Sequence, residues 1–324
     1  MKKPTLASLA AELKVSRQTI SNVINFPDRV RVETRARVQA AIDRSGYRPS
    51  AAARALRNQR AMALGIRLSP PRNGISGAFM DGFLRELVTA ADLRGYRVVV
   101  FPASDRDEEV ERLVELRATL AIDAGIITDT WTGDRRPDQL AEEGVTFVAF
   151  GRPWAGEDHK AWVDVDGGWG AGEAARFLRA RGHDRIGFVG WSDGSPVGKD
   201  RRAGWQQALG LSDDEAASLT VEGEDSVDAG GSGMAQLLRR GATAAVCASD
   251  ALALGAFIDN AGVTRPDVVG FDDTPVARAI GLPSLRQPAD ELARIVIDKV
   301  LAQLSGTDEA GGVLVRPVLE TRGH

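Results

Sequence analysis

Thr5-Leu6-Ala7-Ser8-Leu9-Ala10, followed by Val15-Ser16-Arg17-Gln18-Thr19-Ile20-Ser21-Asn22-Val23-Ile24-Asn25, decides how the first part of this chain folds. Leu6, Leu9, Ala10 and Leu13 fall at i, i+3, i+4 and i+7, which gives a helix one apolar stripe. Lys14-Val15 breaks that pattern, and Ser16 is a good N-cap for a second helix in which Ile20, Val23 and Ile24 keep the inner face apolar. The opposite side of that helix presents Arg17, Gln18, Ser21 and Asn22 near its N-terminal end, where planar side chains can make paired hydrogen bonds to base edges. A third amphipathic segment carries Thr34, Val38, Ala41 and Ile42 on one face, with Arg35, Arg37 and Arg44 outside and Gly46 as its stop. Three short helices with a tight turn between the first two predict a helix-turn-helix unit.

Charge supports a nucleic-acid partner. Residues 1–60 hold 13 Lys+Arg against 4 Asp+Glu, whereas the rest holds 28 against 41, so an overall charge of −4 hides a basic head on an acidic body.

These residues, with Thr34-Arg35, Val38, Ala41-Ile42 and Gly46-Tyr47-Arg48-Pro49, resemble the head of the LacI/GalR transcriptional regulators. The resemblance implies that Arg17, Gln18 and Asn22 read bases and that Thr19 and Ser21 face phosphates, with Thr5, Ser16, Asn25 and Tyr47 completing the DNA-binding set. Many members carry an Arg where this chain has Asn22, so the operator sequence does not carry over. Pro49 to Arg57 is a segment of barely two turns, marginal as an isolated helix because nucleation is costly. In the family it is the hinge helix, which pairs with its twin and pushes a Leu between base steps of the minor groove. Leu56 holds that position here, flanked by Ala53 and Arg54, and the unstacking cost of roughly a few kcal/mol is offset by added contacts.

After Arg60 strands and helices alternate from Met62 to Phe150, and the grammar restarts at Ala161 and runs to Phe271. This predicts two doubly wound α/β subdomains facing each other across a ligand cleft. The expected organisation is a helix-turn-helix domain at 1–48, a hinge helix and linker at 49–60, and an effector-binding and dimerisation domain at 61–324. Within the last, one subdomain is expected to take about 61–160 plus 288–306 and the other about 161–287 plus 307–324. Val163-Asp164-Val165-Asp166, Gly182-His183-Asp184-Arg185-Ile186, Arg201-Arg202-Ala203-Gly204-Trp205, Ser249 to Gly255 and Val269 to Asp273 resemble the family's periplasmic-binding-protein-like effector domain. Gly167 stands where an Asn is usual after Asp166, and Ser249 where an Asn or Ala often precedes Asp250.

By the same resemblance the effector contacts are Ser69, Arg152, Arg201, Ser249, Asp272 and Gln287. An Arg fork and a carboxylate from opposite lobes suit carbohydrate hydroxyls, and an aromatic ring suits the apolar face of a pyranose. The chain has 6 Trp against 2 Tyr, and Trp131, Trp154 and Trp191 all follow expected strand ends, where ligand loops lie. Trp205, inside a helix, reads as core. Asp250 and Asp273 read as helix caps.

Other functions are disfavoured. Gly167-Gly168-Trp169-Gly170-Ala171-Gly172 follows a strand and opens a helix, yet the third Gly of a dinucleotide fingerprint falls on Glu173, so it reads as a tight strand-to-helix turn. No Ser/His/Asp or Cys/His set emerges, no His sits at metal-ligand spacing, and Cys247 in Ala-Val-Cys-Ala reads as a buried strand residue. No enzyme, cofactor or metal is expected. Met1-Lys2-Lys3-Pro4 runs into a polar helix with no apolar signal core, which argues against an exported solute-binding protein and for a cytoplasmic regulator, at the nucleoid when bound to operator. No apolar heptads follow the strand-like stretch Val313 to Thr321, so a homodimer is expected and not a coiled-coil tetramer. The expected function is a transcriptional repressor of carbohydrate-use genes released from double-stranded operator DNA by a sugar. The alternative is a corepressor-dependent regulator sensing a purine or other small metabolite.

Overall fold

The computed structural model describes residues 4–47, 60–68, 75, 77–154, 161–258, 267–307 and 311–322. It divides into two compact units, Met1–Ala61 and Met62–His324.

In the first unit, α1 (Leu6–Leu13), α2 (Arg17–Asn25) and α3 (Val32–Ser45) enclose a small core of Leu9, Ala10, Ile20, Val23, Val38 and Ala41. These are the positions that the 3.6-residue period selects. Thr5 and Ser8 close a capping box at α1, and Ser16 caps α2 by accepting from the Thr19 N–H at 3.0 Å. The turn between α1 and α2 is made by Lys14 in the left-handed region (φ 52°), and Gly46 (φ 64°) ends α3.

The second unit begins with β1 (Ala63–Leu68), α4 (Ala78–Leu93), β2 (Arg97–Pro102), α5 (Arg106–Ala118), β3 (Ala124–Ile127), α6 (Arg136–Glu142) and β4 (Phe147–Phe150). It continues through β5 (Trp162–Val165), α7 (Gly167–Ala180), β6 (Ile186–Trp191), α8 (Pro196–Leu209), α9 (Asp213–Ser218), β7 (Thr220–Gly223), α10 (Val227–Arg239) and β8 (Ala244–Cys247). It ends with α11 (Asp250–Ile258), β9 (Asp267–Phe271), α12 (Pro275–Ile280), β10 (Ser284–Arg286), α13 (Ala289–Ser305), β11 (Gly312–Val315) and β12 (Val318–Glu320). Two sheets result, in the orders β11-β5-β4-β3-β1-β2 and β12-β10-β9-β8-β6-β7. The pairings are parallel except β10 with β12, as helical crossovers require.

The expected subdomain boundaries need correction. Residues 162–165 were expected to open the second subdomain, but β5 pairs with β4 (Ala149↔Trp162, Phe150↔Val163) and with β11, inside the first sheet. The chain crosses between lobes at Asp166, whose side chain caps α7 by accepting from the Trp169 N–H. The tail also divides, β11 joining the first sheet and β12 the second, with Arg316-Pro317 between them. Pro283 to Pro288 contains the short strand β10. Helices α9 and α12 are too short to show a period, although Ser212 with Glu215 and Thr274 with Pro275 mark their starts.

The glycines at 167–172 serve close helix packing. A Cβ placed on Gly204 of α8 would lie 1.8 Å from the Gly168 carbonyl oxygen, so neither helix could approach as it does with a side chain there. Trp205 is fully buried with Phe188, their ring centroids 5.6 Å apart, and Cys247 is buried in β8.

Candidate functional site

The head presents one polar helix face. On α2, Ser16, Arg17 and Gln18 are exposed and Thr19, Ser21 and Asn22 are half-buried, while Asn25 ends the helix. Gln18 Nε2 donates to Asn22 Oδ1 at 2.9 Å, one turn away, which aligns the two amides before any DNA is met. Thr5 and Ser16 spend their hydroxyls on caps, and Tyr47 packs against the head core. Ala53, Arg54 and Leu56, with the rest of the expected hinge helix, lie outside the described residues, as does Ser69.

In the second unit the parallel strands end at one cleft of ≈ 450 Å³, within the usual small-molecule range of about 300–1,000 Å³. Asp129 and Thr130 reach it from the end of β3, Arg152 and Trp154 from β4, Trp191 from β6, Asp225 from β7, Asp272 from β9 and Gln287 from β10. This is the carboxyl edge of the sheets, where α/β folds bind ligands. Trp131, Trp154, Trp191, Arg152, Arg201, Asp272 and Gln287 all line it. Ser249 does not: it is buried, and its hydroxyl donates to Asp225 Oδ1 at 2.5 Å, so it holds a lining carboxylate from behind. Asp250 and Asp273 tie elements together instead of capping the helices beside them. Asp250 accepts from the Thr274 N–H and the Ser284 hydroxyl, and Asp273 pairs with Arg278 and Arg322.

Arg201 is 5% exposed, which excludes a surface ion pair. Its Nη1 donates to the Ala248 carbonyl at 2.5 Å, and its guanidinium lies 3.5 Å from the Phe271 ring centroid and 5.1 Å from that of Trp191. Arg201 Nε and Trp191 Nε1 are buried donors with no acceptor among the described residues. Asp272 has φ 107°, a strained conformation for a side-chain-bearing residue, and accepts from Gln287 Nε2 at 2.5 Å. Arg201 and Asp272 come from the same lobe. The first lobe answers with Arg152, which bonds Asp164 at 2.7 Å and reaches across to Asp200 of α8 at 3.4 Å. Asp200 also accepts from the Gly168 N–H at 2.8 Å, and desolvation raises its pKa. Residue spacing carries no signal for Asp164, Asp200 or Asp225 as cleft residues. Asp225 follows the end of β7 and Asp200 precedes Arg201, while Asp164 lies inside β5, where no local pattern marks it.

Desolvation pushes the Asp272 carboxyl up to about 7, against the pull of Arg201. The folded chain therefore holds a proton there between pH about 4 and 7 that the unfolded chain has lost, and stability falls as pH rises through that window. Asp272→Asn should remove this slope. In thermal unfolding from pH 4 to 8, the difference between variant and wild type should shift in the variant's favour up to about pH 7 and then level. A constant difference would place the carboxyl's pKa in its ordinary range.

Residues 5–50 match the model described as "Bacterial regulatory proteins, lacI family", and residues 175–323 match "Periplasmic binding protein-like domain". The chain is similar to the HTH-type transcriptional regulator CelR of Thermobifida fusca, 32% identical over 99% of this chain and 96% of that protein. It is also similar to the HTH-type transcriptional regulator GalS of Salmonella typhimurium, 30% identical over 94% and 91%. Among solved structures, the transcriptional regulator CelR–cellobiose complex aligns with TM-score 0.71 at 28% identity, covering 98% of this chain and 99% of that one. The Lac repressor dimer bound to operator and an anti-inducer aligns with TM-score 0.84 at 24% identity over 99% and 98%, a likeness of fold. With a matching head, a matching body and full-length relatives that are regulators and not enzymes, this chain belongs to the LacI family of DNA-binding transcriptional regulators.

Proposed function

We propose that this regulator is a homodimeric repressor acting in the cytoplasm at the nucleoid. It binds a near-palindromic operator with half-sites about one helical turn apart and leaves it when a sugar fills the cleft. The observation that carries the sugar reading is the cleft itself, where Arg201 Nε and Trp191 Nε1, buried donors without an acceptor among the described residues, line the same cleft as the Asp272 carboxyl and three indoles. Hydroxyls that both donate and accept meet that set, while the indoles take the apolar face of a ring. A relative solved in complex with cellobiose supports the same ligand class. Dimerisation is supported by exposed Val88 and Leu93 on α4, Ile258 on α11, and Val276 and Ile280 on α12, apolar side chains that a second copy can cover. Thr5, Ser16, Arg17, Gln18, Thr19, Ser21, Asn22, Asn25 and Tyr47 serve the operator, with Leu56 as the minor-groove wedge and Ala53 and Arg54 flanking it.

Genomic-fragment selection at fixed salt, with and without a sugar panel, tests this reading, since phosphate contacts make affinity salt-dependent. One palindromic site released by one sugar is the expected result. Binding created only by added purine would replace induction with corepression, and no specific site under any condition would overturn the operator reading. On the selected site, Gln18→Ala and Asn22→Ala should each cost about 1–3 kcal/mol and relax specificity at one base pair, with non-specific binding unchanged. Uniform weakening on all sequences would make them backbone contacts.

A further inference from the structure

Asp272 reaches the cleft from a turn that its own backbone disfavours. Asp272 and Asp273, the two residues after β9, both have positive φ (107° and 52°), although neither is glycine. Side-chain-bearing residues keep such conformations only where their surroundings enforce them. Here the enforcement comes from behind the cleft. Asp250, 1% exposed at the start of α11, accepts from the Thr274 N–H at 2.6 Å and from the Ser284 hydroxyl at 2.5 Å. The Ser284 hydroxyl in turn accepts from the Asp273 N–H at 2.9 Å. The Asp273 carboxylate is buried, does not line the cleft, and pairs with Arg278 of α12 at 2.8 Å and with Arg322.

The two arginines differ in what else they hold. Arg278 sits on the short helix that the turn itself opens, and its side chain is 58% exposed. Arg322 arrives from two residues past β12 with its side chain 17% exposed, and its Nη1 donates to the Leu282 carbonyl at 2.9 Å. β12 is itself fixed antiparallel to β10, with Ser284 opposite Glu320 and Arg286 paired to Glu320 at 2.8 Å. One guanidinium therefore joins both ends of the segment 273–282 to the edge of the second sheet. Tying the ends of a loop together removes conformations that the free loop would sample. We propose that Arg322 is a positioning residue for effector recognition: through Asp273 it holds Asp272 in the backbone conformation that presents its carboxyl to the cleft. Arg322 itself does not line that cleft. The proposal rests on the sugar-effector reading above for its ligand and on the turn alone for its mechanism.

Isothermal titration of the full chain, as wild type, Arg322→Ala and Arg322→Lys, with glucose, galactose, cellobiose and maltose tests it, alongside operator binding of each without sugar. Arg322→Ala should weaken the sugar that the wild type binds by about tenfold, about 1.4 kcal/mol, with operator affinity unchanged. Arg322→Lys keeps the charge but not the planar fork that serves Asp273 and Leu282 together, so it should recover part of the loss. A second readout needs no ligand. Desolvation pushes the Asp272 carboxyl up to about 7, with Arg201 of α8, Asp225 after β7, Asp250 of α11 and Gln287 after β10 acting on it. A turn freed from Arg322 admits water to that carboxyl, and its pKa returns toward the ordinary carboxylate range. In thermal unfolding from pH 4 to 8, the effect of Asp272→Asn should therefore vary with pH in the wild-type background and be constant in the Arg322→Ala background. Arg322→Lys gives both readings at smaller size if Arg322→Ala does not fold. Wild-type sugar affinity, an Asp272→Asn effect that still varies with pH, or an equal loss of operator affinity in the Arg322 variants would each overturn the positioning role. If the wild type binds none of these sugars, the sugar reading falls, and the pH comparison still decides the role of Arg322.

Discussion

Arg136→Ala should cost about 3–5 kcal/mol of stability, the largest effect expected from any single side chain in the second unit. Arg136 is 1% exposed and uses its whole fork: Nη1 donates to Glu109 Oε2 at 2.6 Å, Nη2 to Asp134 Oδ2 at 2.6 Å and to the Thr128 carbonyl at 2.9 Å, and Nε to Asp134 Oδ1 at 3.0 Å. Glu109 is wholly buried, and desolvation already raises its pKa against the pull of Arg136 and Arg67. Removing Arg136 leaves a buried carboxylate with Arg67 alone, 3.2 Å away, and opens a cavity as well. Urea unfolding followed by tryptophan fluorescence reads the loss. A double change, Arg136→Met with Glu109→Leu, should recover part of it by removing the stranded charge. If the double variant is no better than Arg136→Ala, the stranded Glu109 charge is not the source of the loss. The same network fixes the Asp129–Asp134 turn that carries Trp131 to the cleft, so its role reaches the ligand.

This network shows what the sequence could and could not disclose. The head was legible because Leu9, Ile20, Val23, Val38 and Ala41 obey one period and face one small core. The alternation of strands and helices was legible for the same local reason, and so were Trp131, Trp154 and Trp191, because ligand loops follow strand ends. The sheet that each strand joins was not. Phe147–Phe150 is buried on both faces and Trp162–Val165 nearly so, and a buried parallel strand carries no mark of its neighbours. The lobe crossings at Asp166 and Pro317 therefore had to be seen. Ser249 shows a second limit. The resemblance placed it among the effector contacts, but its hydroxyl turns toward Asp225, a partner 24 positions away that no local pattern predicts. The charges that Arg136 gathers come from α5 and the turn before α6, with Arg67 of β1 on the far side of Glu109, and long-range pairing of that kind leaves no trace in spacing.

Arg201→Ala should weaken effector binding by on the order of 100-fold while operator affinity in the absence of effector stays at its wild-type value. The magnitude follows from one charged hydrogen bond, about 1.5–3 kcal/mol, together with the loss of the counter-charge that keeps Asp272 ionisable. Without Arg201 the Asp272 carboxyl rises further, so residual binding should begin to fall at a higher pH than in the wild type. Arg201→Lys separates the causes. Lysine keeps the charge but not the planar fork that lies against Phe271 and reaches Ala248, so it should restore the pH profile and only part of the affinity. Far-UV circular dichroism and thermal unfolding of the same preparations show that each variant is folded. If Arg201→Ala binds effector as the wild type does, the guanidinium is packing between Phe271 and Trp191 and nothing more. If both variants lose operator binding as well, Arg201 holds the lobes in the operator-competent state, and the link between cleft and head runs through this residue whether or not ligand is present.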